Sequence, residues 1–224
     1  MGLTAWSGVG VALVGLIAVY VGVFRPRQLR WGATDEEVAR EMPGDEIVPR
    51  PVFNATRAVT VNARPEEVWP WLVQIGFGRA GWYSYDILDN LGRHSSEQIL
   101  PEYQHLEPGD LIPLGPGAES GLYVKDIRPN EAMVWWERKR HATSWVWGLY
   151  PIDGEHTRLI TRVRNDYYRT GLSNFIFGLL LIEPADFPMM RKCMLGIKRR
   201  AESVGSTHRA EHIAMTSTQS RGAV

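Results

Sequence analysis

The stretch "RAVTVNARPEEVWPWLVQIG", Arg57 to Gly76, changes its periodicity partway through, and that change decides the fold. Upstream and into it, Phe53, Ala55, Arg57, Val59 and Val61 alternate with Asn54, Thr56, Ala58, Thr60 and Asn62. A period of two is the pattern of a strand. From Pro65 the spacing becomes helical, with Val68, Trp71, Leu72 and Ile75 on one side. Pro65 suits a first helical position, and Glu66 and Glu67 suit the positive end of the helix dipole. Pro70 lies inside this pattern, so the helix is expected to be kinked or limited to a few turns.

Downstream, "SYDILDNLG" predicts a second short helix, with Ile87, Leu88 and Leu91 on one side and Gly92 as its stop. The signals then become strand and turn. Pro108-Gly109-Asp110 leads into an apolar strand. Pro129-Asn130 and Asp153-Gly154-Glu155 each separate two strand-like runs, as hairpin turns do. Trp145, Trp147 and Leu149 share one face of their strand. Leu159, Thr161 and Val163 oppose Arg158, Ile160, Arg162 and Arg164, the pattern of a half-buried antiparallel strand. "FPMMRKCMLGIKRRAES" closes the ordered chain as an amphipathic helix with a stripe of Met189, Cys193, Ile197 and Ala201, joined by Met190 and Met194.

The opening strand, the P-x-x-V-W helix start at Pro65 to Trp69, and the closing "MMRKCMLGIKRRAE" resemble the START-related superfamily, also called SRPBCC, the polyketide cyclase and lipid-transport group. The resemblance covers roughly residues 52 to 202. "GRAGWYSYD", Gly78 to Asp86, looks most like a membrane-anchored bacterial branch of it. The resemblance implies an α+β helix-grip fold. A curved antiparallel β-sheet wraps around a long C-terminal α-helix, two short helices follow the first strand, and an apolar cavity lies between sheet and helix. Members bind lipids, sterols, polyketides or other hydrophobic molecules, and a minority catalyse cyclisation or dehydration.

The 224 residues carry 25 basic and 25 acidic side chains, so the balance gives no reason to expect a nucleic-acid partner. The single cysteine, Cys193, excludes an intrachain disulfide framework and a cysteine-rich metal site. No side chain from Met1 to Phe24 is charged. About 20 such residues at ~1.5 Å each span a hydrocarbon core of roughly 30 Å. A cleaved signal peptide is the competing reading, but it wants basic residues before the apolar run and a small-residue cleavage site after it. Here Arg25, Arg27 and Arg30 follow the run, which favours a single-pass membrane anchor with the remaining chain in the cytoplasm. The expected organisation is an anchor at 1–24, a juxtamembrane tether at 25–51, the helix-grip domain at 52–202 and a disordered tail at 203–224. In the tether, Thr34 and Glu37 have the spacing of a capping box.

Trp82, Tyr83, Tyr85 and Asp86 combine apolar rings with a few hydrogen-bonding groups, the composition of a ligand pocket. Trp135, Trp145 and Trp147 come from neighbouring strands and belong either to the same pocket or to a filled core. Arg162 is read as part of a solvated outer face, or as an inward anchor for a ligand carboxylate or phosphate. Asp86 is the candidate acid–base residue. No catalytic pair, metal-ligand spacing or cofactor motif accompanies it, and Cys193 in a helical apolar stripe reads as a small buried hydrophobe. "GFGRAG", Gly76 to Gly81, has the letters of a dinucleotide loop, but a helix precedes it where a strand is required, so it reads as a turn between two short helices. The apolar run Phe175 to Ile182 is too short to span a bilayer. It is either a buried connection into the last helix or a surface that dips into the membrane or covers the cavity mouth. The leading functional expectation is binding of a hydrophobic small molecule, a lipid or an isoprenoid- or polyketide-like compound. A cyclase- or dehydratase-type enzyme and an interaction module with a filled cavity stand as the alternatives.

Overall fold

The computed structural model describes residues 12, 14–117, 120–139, 141–166 and 171–221, with side chains for all of these except 172, 175 and 206–221. The fold is α+β. One six-stranded antiparallel sheet has the order β1-β6-β5-β4-β3-β2, built from β1 (Phe53–Val61), β2 (Leu111–Pro113), β3 (Gly121–Arg128), β4 (Ala132–Trp136), β5 (Thr143–Pro151) and β6 (Thr157–Asn165). The first strand thus closes against the last, and the turns at Pro129-Asn130 and Asp153-Gly154-Glu155 join neighbouring strands as the sequence predicts.

The described helices are residues 14–29 (α1), Asp35–Ala39 (α2), Pro65–Val73 (α3), the single turn Asp86–Asp89 (α4), Leu172–Phe177 (α5) and Glu183–Arg221 (α6). Wider π-helical turns lie within α1 at Tyr20–Phe24 and between α5 and α6 at Gly178–Ile182. The inner sheet face carries Met133, Trp135, Trp147, Leu149 and Leu159. These pack with Val68, Trp71 and Leu72 of α3 and with Met190, Cys193, Met194, Ile197 and Ala201 of α6. The sheet therefore grips the C-terminal helix through the stripe legible in the sequence. Arg57 of β1 fastens the junction: its Nη1 lies 2.7 Å from Asp186 Oδ2, and its Nε donates to the Gln28 carbonyl at 2.9 Å. Lys198 Nζ reaches the Thr60 carbonyl at 2.7 Å farther along the helix.

The outer face is where the sequence reading needs correction. β1 and β6 are buried on both faces, because residues 31–48 fold back across the sheet. Met42 joins Ala58, Val134, Val146 and Ile160 in a second apolar cluster. The Ala58 amide donates to the Trp31 carbonyl at 3.1 Å, and this crossing is close: a Cβ on Gly32, at φ +72°, would meet the Ala58 carbonyl oxygen at 2.2 Å. Arg162 neither faces solvent nor points at the cavity. It is 3% exposed and donates to Thr56 Oγ1, Asp45 Oδ2 and the carbonyls of Glu37, Val38 and Arg40 at 2.6–2.9 Å. Thr34 and Glu37 form the predicted capping box at the start of α2, and Glu37 also receives Arg158 at 2.7 Å. The tether is a covering layer tied to the sheet.

Two further expectations change, and a third lies partly outside the described residues. The helix expected to end near Glu202 continues to Arg221, through the segment read as a disordered tail. The run into α6 is not a buried connection: Ile176, Phe177, Leu180, Leu181 and Ile182 are exposed. Among the described residues no helix is long and apolar enough to cross a membrane, and residues 1–11 and 13 of the expected anchor lie outside them.

Removing one member of a buried ion pair strands its partner. The substitution Arg162→Met is accordingly expected to lower stability by about 3 kcal/mol in urea unfolding. Limited proteolysis of the variant should cut first within residues 31–48, whereas wild-type protein should resist there.

Candidate functional site

The segment from Gly76 to Asn90 positions the site. Gly76 and Gly81 bridge each other through two 3.2 Å backbone hydrogen bonds, closing "GFGRAG" into a tight loop that reverses the chain after α3. Tyr83 follows with φ +55°, a costly conformation for a side chain of its size. It is held there by Gln74 Nε2, which donates to its hydroxyl at 2.9 Å, and by its own hydroxyl, which donates to the Trp71 carbonyl at 3.2 Å. Arg200 of α6 stacks on the ring 4.3 Å from its centroid. The helix passes so near that a Cβ on Gly196 would meet the Tyr83 carbonyl oxygen at 2.4 Å.

This twist of the backbone sends neighbouring side chains into two different concavities. On one side a cavity of about 170 Å³ lies between sheet and C-terminal helix. Trp82 and Trp145 stack on one another at 5.6 Å to form an aromatic wall. Met189, Met190 and Cys193 of α6 form the opposing wall, with Ser84, Asp89, Asp186 and Leu114 completing the lining. The Trp145 indole N–H donates to Thr161 Oγ1 at 2.8 Å, and the Ser84 hydroxyl donates to the Met189 carbonyl at 2.9 Å. Three buried polar atoms of the lining have no hydrogen-bond partner among the described residues: Trp82 Nε1, a donor, and Asp89 Oδ1 and Asp186 Oδ2, both acceptors. Asp186 Oδ2 touches Arg57 Nη1, but off the angle of a hydrogen bond. Leaving such groups unpaired in a dry interior costs about 1–3 kcal/mol each, which marks this end of the cavity as the place where a polar partner would be favoured.

On the other side of the segment lies a larger polar cleft of about 610 Å³, lined by Tyr83, Asp86, His94, Glu97, Lys192, Arg199 and Arg200 among others. Its charges are largely consumed internally. Glu97 receives Arg199 at 3.0 Å and Arg200 at 2.7 Å, and Asp86 accepts from the Ser95 hydroxyl at 2.6 Å and the Ser95 amide at 3.2 Å.

The predicted residues therefore separate. Trp82 and Trp145 line the cavity, while Trp135 and Trp147 lie behind them as wholly buried core. Tyr83 is a strut between α3 and α6. Tyr85 is at the surface, 40% exposed, with the Lys192 ammonium 3.9 Å from its ring centroid. Asp86 staples a loop in the polar cleft, and Arg162 is on the opposite face of the sheet. The residue that sequence reasoning missed is Asp89. A helix turn places it three residues from Asp86, and it is this second carboxylate that reaches the cavity. The available signal was the sequence "DILD": turning the expected apolar face of α4 outward leaves Asp89 as the inward group.

The two carboxyls are tuned in opposite directions. Burial pushes the Asp89 pKa above the ordinary value of 3.8, and the nearby Asp86 charge adds to the rise, against the polar Ser84 side chain and the hydrogen bond from the Tyr85 amide. Burial also opposes ionisation of Asp86, but the hydrogen bonds from Ser95 and His94 together outweigh it and hold that carboxyl below its ordinary value. Burial raises the Cys193 thiol strongly, which makes it inert packing and no nucleophile.

No protein-family model matches the chain, and no curated protein matches it in sequence. Among solved structures it is similar to KanY protein, at 14% identity over 68% of this chain and 99% of that one, with a TM-score of 0.42. It is similar to CalC from Micromonospora echinospora, described as a self-sacrificing resistance protein, at 10% identity over 68% and 96%, with a TM-score of 0.37. A third is the Polyketide_cyc-like protein Cgl2372 from Corynebacterium glutamicum, at 13% identity over 73% and 94%, with a TM-score of 0.34. Likeness at this level carries neither a ligand nor a reaction to this chain.

A carboxyl that ionises less readily when folded favours the fold at low pH, and that contribution is withdrawn as pH rises through its raised value. Asp89→Asn is therefore expected to raise the thermal midpoint at pH 7, with the gain shrinking as pH falls toward 3.8. Asp86, held low, contributes above its ordinary value and loses that contribution as pH falls. Asp86→Asn should accordingly lower the midpoint at pH 7, and paired pH series of melting curves separate the two signs.

Proposed function

We propose that this protein is a membrane-anchored domain, facing the cytoplasm, that binds a hydrophobic small molecule carrying a polar end. The observation that carries this reading is the mostly apolar cavity between the Trp82–Trp145 wall and α6, whose polar lining is Ser84, Asp89, Asp186 and the unpartnered Trp82 indole N–H. A ligand hydroxyl can accept from an indole N–H or donate to a carboxylate oxygen, so it suits either group. An apolar cavity of about 150 Å³ takes up benzene. A volume of about 170 Å³ thus suits one ring or one prenyl-sized end of a lipid, isoprenoid or polyketide-like compound, the remainder leading out through the mouth. Anionic heads are disfavoured there, since Asp89 and Asp186 already supply carboxylates. The anchoring is supported by the uncharged run from Met1 to Phe24 and the arginines that follow it.

Titration with single-ring probes, read by quenching of the stacked Trp82–Trp145 pair, tests the cavity. Benzyl alcohol should bind more tightly than toluene, and both more tightly than benzoate. Asp89→Leu should weaken benzyl alcohol about tenfold, the worth of one hydrogen bond, while leaving toluene within about threefold. Equal binding of alcohol and benzoate would refute the polar assignment, and no binding of any probe would refute the cavity.

A second reading, a dehydratase or cyclase, is favoured by Asp89 alone: a carboxyl in an apolar cavity with its pKa raised has the setting of a general acid. Under that reading wild-type protein converts its organic-extracted ligand to a product lighter by one water or to a cyclised isomer. Asp89→Asn at saturating ligand does not. Mass spectrometry and chromatography of the extract decide it.

A further inference from the structure

Resting on the anchoring proposed above, we propose that the bilayer also receives a second element of this chain. The exposed apolar segment Ile176–Ile182 and the outward-facing pair Ile87–Leu88 sit in the membrane surface, so that the cavity mouth between them opens onto lipid.

Three observations converge. The first is an apolar surface where water offers no reason for one. Ile176, Phe177, Leu180, Leu181 and Ile182 are 38–56% exposed, on a segment with no charged side chain from Gly171 to Ile182. In α4 the polarity is inverted relative to a helix in water: Ile87 is 82% and Leu88 70% exposed, whereas Asp89 is 9% exposed.

The second is continuity with the anchor. In α1, Val14, Leu16, Val19, Val21, Val23 and Phe24 are all exposed, as side chains facing lipid are. The base of α1 and the end of the 172–182 segment are locked together by Arg25, whose Nε and Nη2 donate to Glu183 at 2.6 and 3.0 Å, with the Glu183 side chain 1% exposed. Both apolar segments run into this one ion pair. Trp31 packs edge-on against Phe187 just beyond it, with the Arg191 guanidinium 5.2 Å from the Trp31 ring centroid. Indole and arginine at that level are the usual residues of a bilayer interface. Eleven helical residues, 172–182, rise about 16 Å, half of a ~30 Å hydrocarbon core. The segment is therefore the length of an element that enters one leaflet.

The third is the place of the mouth. The cavity lining includes Asp186 and Met189, one and two turns past Ile182, and Asp89, next to Leu88 in the chain. Leu114, also in the lining, is 40% exposed. Under this proposal, a bilayer that takes up Leu181 and Ile182 on one element and Ile87 and Leu88 on the other lies against both elements that supply the lining, and a hydrophobic ligand would exchange without crossing water.

The test uses the full chain reconstituted into phosphatidylcholine vesicles containing 5-doxyl-phosphatidylcholine. Single cysteines replace Leu16, Leu88, Phe177 or Ile152, each labelled with an environment-sensitive nitrobenzoxadiazole. Cys193 is buried and stays unlabelled in the folded protein. Labels at Phe177→Cys and Leu88→Cys are expected to lose about half their emission to the doxyl group, as at Leu16→Cys. Ile152→Cys, in the β5–β6 turn, should lose none. Quenching at Leu16→Cys but not at Phe177→Cys and Leu88→Cys overturns this inference and leaves the anchor standing. No quenching at any of the three overturns both. Protection at Phe177→Cys and Leu88→Cys that depends on protein concentration and not on lipid assigns the surface to a second copy of the chain, and likewise overturns it.

Discussion

A sheet with apolar side chains on both faces has to be covered twice, and that requirement organises this molecule. The inner face is met by α3 and α6. The outer face is met by a stretch with little regular structure of its own, so its cover must be held by specific bonds. Arg162 supplies them: a guanidinium with five donors, buried beneath the tether, satisfies three backbone carbonyls that a folded-back loop would otherwise leave unpaired. Arginine suits this because its fork stays charged and planar even when desolvated. The ion pair with Asp45 offsets the charge, and Thr56 across the strand fixes the approach angle. With the outer face closed, the strands keep their register, and the curvature that grips α6 is maintained.

The sequence is legible where one period dominates. β1, α3 and the buried stripe of α6 appear as drawn because each alternates once, with a proline at the helix start and turn residues between the strands. Legibility fails where a segment's neighbours come from far along the chain. Arg158, Arg162 and Arg164 alternate as a solvated face does, and nothing in β6 itself tells that residues 31–48 return to cover them. The same holds for α4. Ile87, Leu88 and Leu91 look like a core-facing side, yet the twist at Tyr83 turns the helix so that Asp89 faces inward. Of the candidate site, Trp82 and Trp145 are legible as aromatic candidates by composition, but their stacking is not, since it joins a loop to a strand far along the chain. The carboxylate was assigned to Asp86, since local spacing cannot choose between two aspartates one turn apart.

Those two aspartates show how a small backbone feature sorts chemistry. They share a helix turn, yet one is saturated with hydrogen bonds and the other retains an oxygen with none. The difference arises from the left-handed conformation at Tyr83 and the close passage of Gly196, which together decide which side of the segment each carboxyl meets. Under the binding proposed above, a molecule that brings no group for Trp82 Nε1 or Asp89 Oδ1 leaves their desolvation penalty in place.

The bond between Arg25 and Glu183 joins residues 158 positions apart, one near the start of the chain and one at the head of its last helix. Mechanically the polypeptide is thereby closed into a loop, and a load applied at the N-terminal segment passes directly into α6, bypassing the tether as a compliant spring. In synthesis the order matters too: the arginine emerges early and waits for the glutamate, so this clasp cannot form until all six strands have been made.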